Sequence, residues 1–168
     1  MYPSAGFRDP DFFAAMVANE QLEYRVWEEV RTKRNLSYAV RAGVNWTSGV
    51  PRGSLYVTAV DPDAAVRVMF DEVAKLKAAP MSAKDLASSK STFATSHLLS
   101  SETSAGQALW LARAQIYAGD FRWESKLVER VKAVTAADVQ AHANARMKNL
   151  QLEVVGPKKV DAKLFGSL

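Results

Sequence analysis

The hydrophobic pattern first changes period between residues 34 and 38, and that switch limits the folds open to this chain. Upstream of it, Phe13, Met16, Val17, Leu22, Val26, Trp27 and Val30 recur at helical spacing. Asp9-Pro10 offers a helix start, with Asp as cap and Pro in the first turn. Lys33 and Arg34 make a basic last turn, and Asn35 tolerates the left-handed conformation that a helix stop needs. Downstream, residues 38–47 alternate, with Tyr38, Val40, Ala42, Val44 and Trp46 on one face and Ala39, Arg41, Gly43, Asn45 and Thr47 on the other. Ser48 to Gly53 reads as a turn and Leu55, Val57 and Ala59 alternate again, so 38–60 is expected to form a β-hairpin.

Beyond the hairpin the signals are helical. Asp61-Pro62 repeats the cap-plus-proline start, and Val66, Met69, Phe70, Val73 and Leu76 stripe a helix ending before Pro80. Ser82 with Asp85 and Thr135 with Asp138 resemble capping boxes, with Met81–Leu86 and Val134–Val139 as hydrophobic staples. Between them the pattern predicts a helix to about Leu99, a second over 104–118 ended by Gly119, and a shorter one near 122–133. Leu150, Leu152, Val154 and Val155 read as a last strand, and Leu164 and Phe165 as anchors for a polar tail. Helix, hairpin, helices and strand in that order predict an α+β domain, with helices covering one face of a mostly antiparallel sheet.

At 168 residues and 48% hydrophobic, the chain suits one globular domain with a sizeable core. No apolar run approaches the ~18–20 residues of a spanning helix. A net charge of +4 is mildly basic, and its densest patch is only Arg31, Lys33, Arg34 and Arg41 beside Tyr38 and Trp46. A solvated helix end explains that patch, and nucleic acid is not expected as a partner. With no cysteine, disulfide and thiol chemistry are excluded.

The sequence contains no visible catalytic engine. His97 and His142 stand alone on predicted helices, expected at the surface or its boundary, and neither H-x-x-E-H nor H-E-x-x-H occurs. No G-x-S-x-G is present, and the serines fall where helix capping explains them. Glu28 and Glu29 are expected to face solvent or pair with Arg25 or Lys33. What remains is Arg31 and Tyr38, seven positions apart across the period switch. A guanidinium there can hold a carboxylate, and a phenolic O–H can serve a developing negative charge. Residue types alone favour a structural explanation: a cation complementing the helix dipole, and an aromatic opening a strand, in the core with Val40, Val44 and Trp46.

The run R-V-W-E-E-V-R-T-K-R-N-L-S-Y-A-V, residues 25–40, resembles the pitrilysin/insulinase family of zinc peptidases, which includes mitochondrial processing peptidase and the core proteins of the respiratory bc1 complex. The resemblance continues through the hairpin, D-P-D-A-A, residues 82–90, residues 134–143 and L-E-V-V-G-P. It implies a processing-peptidase-like metallohydrolase fold and, for residues 1–168, a single C-terminal domain without the zinc site. It also implies that Arg31 and Tyr38 are the pair that grips substrate backbone and assists the transition state. Zinc is then expected in a homologous partner domain or subunit and not in this chain, with a peptide as substrate.

Asn35 replaces the family's glycine, and A-N-E-Q-L-E-Y stands where a glycine-rich kink is usual, which implies a continuous helix. The chain is expected to be a fragment of a larger protein that lacks the domain's first strand. That would leave an exposed sheet edge able to pair with another copy. The competing expectation is a structural or assembly domain, like the respiratory core proteins.

Overall fold

A computed structural model of the chain describes residues 1–46, 49–161, 163 and 164. Part of the expected 48–53 turn and the expected anchor Phe165 lie outside the described residues. Among the described residues, no helix is long and apolar enough to cross a membrane.

The first helix forms, but in two parts. α1 (Phe12–Val26) passes without a break into a π-helical turn, Trp27–Thr32. There the bonds reach five residues back, as from the Lys33 N–H to the Glu28 carbonyl at 2.9 Å. Asn35, with φ of 51°, then takes the left-handed conformation expected of it. The start differs from the expectation. Asp9 sits one turn earlier, its carboxylate accepting the Gly6 N–H at 2.9 Å. Asp11 occupies the cap position but makes no capping bond. Its carboxylate is held instead by Arg146 at 3.0 Å and His142 at 2.9 Å.

The hairpin pairs β2 (Val40–Asn45) with β3 (Arg52–Val57), in a register that sets Val40 against Val57 and Ala42 against Leu55. Opposed residues share a face, and these four pack on α1 and the helix after the hairpin. Arg41 and Tyr56, on the other face, are exposed. The sheet is therefore one-sided, as an α+β domain requires.

A third strand, β1 (Tyr2–Pro3), joins the outer side of β3, giving the order β1-β3-β2. Two residues are too few for alternation to reveal, which is why the sequence carries no sign of it. The strand expected over 150–155 does not form. Only Gln151 pairs, exchanging two bonds with Met1 at 2.7 and 2.9 Å. The short β1 offers no further partner, and Val154 and Val155 lie exposed beyond it.

The later helices follow their start signals. α2 (Pro62–Ala78) is capped by Asp61, whose side chain accepts from the Ala64 N–H. α3 (Ala83–Ser100) is capped by Ser82, and α6 (Ala136–Arg146) carries the complete Thr135–Asp138 capping box. α4 (Ser104–Arg113) runs into a second π turn, Ala114–Ala118, stopped by Gly119 at φ 83°. A 3₁₀ turn, Phe121–Lys126, leads into α5 (Leu127–Ala133).

α1 touches β2, α2, α3, α5 and α6 and is the hub of the domain. Its Phe12, Val17 and Leu22 enter a core with Val73, Leu76, Leu127, Val131 and Val139. Val26 and Val30 enter a second cluster with Val40, Val68 and Met69. The Tyr2 ring lies across Gly53, where a Cβ would fall 2.2 Å from it. Gly53→Ala is therefore expected to displace Tyr2 and to cost about 1–3 kcal/mol, as overpacking does, read as a lower urea midpoint at unchanged slope.

Candidate functional site

The π turn decides where Arg31 points. Val26 and Val30 are both fully buried, so the residue following each lies on the neighbouring outer face. Trp27 and Arg31, four positions apart on that face, are neighbours on the helix surface. The Arg31 guanidinium carbon accordingly stands 5.3 Å from the centre of the Trp27 ring.

The strand-side partner arrives by a tight corner. The Leu36 N–H bonds the Val30 carbonyl at 2.8 Å, and Leu36 packs on the second cluster. The buried Ser37 hydroxyl bonds both the N–H and the carbonyl of Ala39, at 3.1 and 3.0 Å. With Leu36, Ser37 and Val40 turned inward, Tyr38 is pushed to the apex at 82% exposure. It precedes β2 and is not in the core, contrary to the structural explanation offered by its residue type. Its ring lies 4.1 Å beneath the Arg31 guanidinium carbon. The corner thus makes a stack of Trp27, Arg31 and Tyr38, and an exposed cation–π contact of this kind contributes about 0.5–1 kcal/mol.

Charge separates Arg31 from its neighbours. Glu29 binds Lys33 at 2.6 Å and also binds Arg34 through its other oxygen. Hydrogen bonds from Lys33 and Arg34 pull the Glu29 carboxyl down to about 2. Both flanking cations are therefore engaged, whereas Arg31 has no carboxylate partner among the described residues. The tyrosine hydroxyl likewise makes no hydrogen bond among them. A cation held flat and left uncompensated, beside a free phenol, can receive a carboxylate or a polarised carbonyl.

Neither histidine lies at the surface or its boundary as expected. His97 and His142 are both buried. His97 Nε2 meets Glu124 at 2.9 Å, and His142 Nδ1 meets Asp11 at the same distance. Asp11 lies far from His142 in sequence, and so no local pattern signals the contact. Among the described residues no three His, Asp or Glu side chains converge as metal ligands. A cavity of about 770 Å³ opens beside Asp11, His142 and Arg146, on a part of the surface with no share in the Arg31 stack.

With this geometry in hand, residues 1–93, more than half of the chain, match the family described as the peptidase M16 inactive domain. The chain belongs to that family. It is a family of zinc peptidases, of which this domain is the inactive part. No curated protein matches the sequence.

Among solved structures, the peptidase M16 inactive domain from Pseudomonas fluorescens is similar at 21% identity and a TM-score of 0.74, over 85% of this chain and 36% of that one. A Bordetella pertussis Tohama I protein assigned as a zinc protease matches at 20% identity and a TM-score of 0.71, over 88% of this chain and 85% of its own. Pitrilysin matches at 18% identity and 0.65, over 90% of this chain and 17% of pitrilysin. The M16 inactive domain described here thus spans about a third of the Pseudomonas chain and about a sixth of pitrilysin.

The burial of His142 gives this M16 domain a pH dependence. Burial lowers the His142 pKa from 6.5, outweighing the opposing hydrogen bond and charge of Asp11. The folded state therefore favours neutral imidazole, and the unfolded chain binds a proton first as pH falls. The stabilisation is complete above pH 6.5 and is lost on acidification toward the depressed folded-state value. Proton NMR of the His142 ring is expected to give a midpoint below 6.5, and a midpoint at or above 6.5 would contradict the assignment.

Proposed function

We propose that residues 1–168 form one domain serving as the non-catalytic half of a zinc metallopeptidase. In this reading Arg31 and Tyr38 bind the peptide, and a homologous zinc-bearing domain or subunit completes the chamber and cuts it. The observation that carries the reading is the Arg31–Tyr38 contact itself. It joins an exposed phenol to the one cation of the R-T-K-R-N-L-S-Y corner that Glu29 leaves uncompensated. Family membership supports it, since the domain's relatives include parts of larger zinc proteases.

The chemistry asked of the pair is modest. Arg31 holds a substrate carboxylate or main-chain carbonyl by charge and paired N–H donors. Tyr38 offers its O–H to the oxygen that becomes negative as water attacks, at no cost in proton movement. Contacts with the Trp27 and Tyr38 rings steady the guanidinium before substrate arrives, so less ordering remains for binding. The competing reading is an assembly domain without peptidase role. It requires neither a free Arg31 nor an exposed Tyr38.

The test is kinetic, in the assembly with the zinc-bearing half. Arg31→Ala is expected to lower kcat/KM by about 10²-fold or more, the scale of losing one preorganised charged donor. Tyr38→Phe keeps the stack but removes the O–H, and is expected to lower kcat with little change in KM. Unchanged cleavage in both variants would leave the assembly reading standing in place of this one.

A further inference from the structure

Trp27 has a second neighbour besides Arg31. A groove of about 460 Å³ runs between α1 and α3 beside the outer edge of β2, and Glu20, Tyr24, Trp27, Arg41, Lys84 and Asp85 are among its walls. The buried hydrogen bond from the Ser89 hydroxyl to the Gln21 side chain, at 2.9 Å, closes it toward the core. Because Trp27 belongs to both the groove and the Arg31–Tyr38 stack, an extended chain lying on the stack passes directly onto the groove.

The charges in the groove are unevenly satisfied. Asp85 faces Arg25 at 3.7 Å. The Glu23 carboxylate accepts the Ala42 N–H on the free edge of β2. Arg41 donates to the Val40 carbonyl at 2.9 Å. Lys84, on the α3 side, forms no ion pair with Glu20. That leaves Glu20 without a hydrogen bond or ion pair among the described residues. Burial, then the neighbouring Glu23 charge, pushes its carboxyl above the ordinary value. Its charged form is therefore costly until a cation arrives. Tyr24 is 59% exposed and Trp27 36%, one and two helical turns further along the same side of α1, and each presents ring surface beside it.

We propose that this groove is a specificity subsite that receives a lysine or arginine side chain of the bound peptide, paired with Glu20 and flanked by the rings of Tyr24 and Trp27. The inference rests on the peptide-binding reading above and adds to it the side chain selected. A carboxylate beside aromatic faces suits a long cationic side chain, whose apolar stem lies along the rings while its charge meets the acid. A partly desolvated pair of this kind discriminates by charge as well as by shape.

The test uses two extended peptides that differ only in carrying lysine or norleucine at one position, titrated into the ¹⁵N-labelled chain. NMR reads weak binding, and the Trp27 indole N–H, identified by its loss in Trp27→Phe, reports the groove. The lysine peptide is expected to bind about tenfold more tightly, the scale of one cation–π contact plus one partly buried ion pair. In Glu20→Gln that preference is expected to fall to about one, with norleucine binding unchanged. Arg31→Ala is expected to weaken both peptides alike and to keep their ratio. Equal affinities in the unaltered chain, or a preference that survives Glu20→Gln, would overturn the subsite while leaving the Arg31–Tyr38 reading intact. Absence of binding by either peptide would overturn both.

Discussion

Two valines on successive turns, Val26 and Val30, tie the helix, the corner and the sheet together. Each is fully buried, and they share one cluster with Val40 of β2 and with Val68 and Met69 of α2. Burial of side chains this size is worth about 1.5–3 kcal/mol apiece. What they contribute to the site is direction. With both side chains inside, Trp27 and Arg31 are committed to the same outer face. The turn that the buried Ser37 hydroxyl closes on Ala39, ahead of β2, then sets Tyr38 at the apex of the corner.

Electrostatics then selects among the cations that this geometry presents. Arg31, Lys33 and Arg34 lie within four positions, and a lone acidic side chain, Glu29, serves the latter two. Such exposed pairs add little to stability. Their effect here is to settle which positive charge stays open to a ligand. Arg31, which rests on aromatic rings instead of a carboxylate, keeps its donors uncommitted.

Most of the frame was legible in the sequence because it depends on local rules. The period switch at Asn35, the β2–β3 hairpin, the Asp61, Ser82 and Thr135 caps and the stop at Gly119 all follow from neighbours in the chain. What escaped depends on contacts distant in sequence or on very short elements. Asp11 is diverted from capping by Arg146 and His142, more than 130 positions away. Tyr2–Pro3 is a strand only because β3 is there to pair with it. The 150–155 segment fails to become one because β1 ends so soon. At the site, the positions of Arg31 and Tyr38 were readable, but the exposure of Tyr38 was not. Its alternation with Val40 suggested the core, and only the Ser37 turn explains why it lies outside.

The π turn at Trp27–Thr32 gives α1 two registers in one continuous helix. Residues before it keep the phase that seats Phe12, Val17 and Leu22 in the main core. Residues after it take a phase displaced by the one extra residue that each widened turn contains. The main core and the site thereby follow separate phases along a single rod, and Val30, in the turn itself, packs in the second cluster. The N-terminal stretch can be tuned for the main core without turning Arg31, and loss of one residue between 27 and 32 would rotate the corner and unseat Val30 while leaving Phe12, Val17 and Leu22 in place.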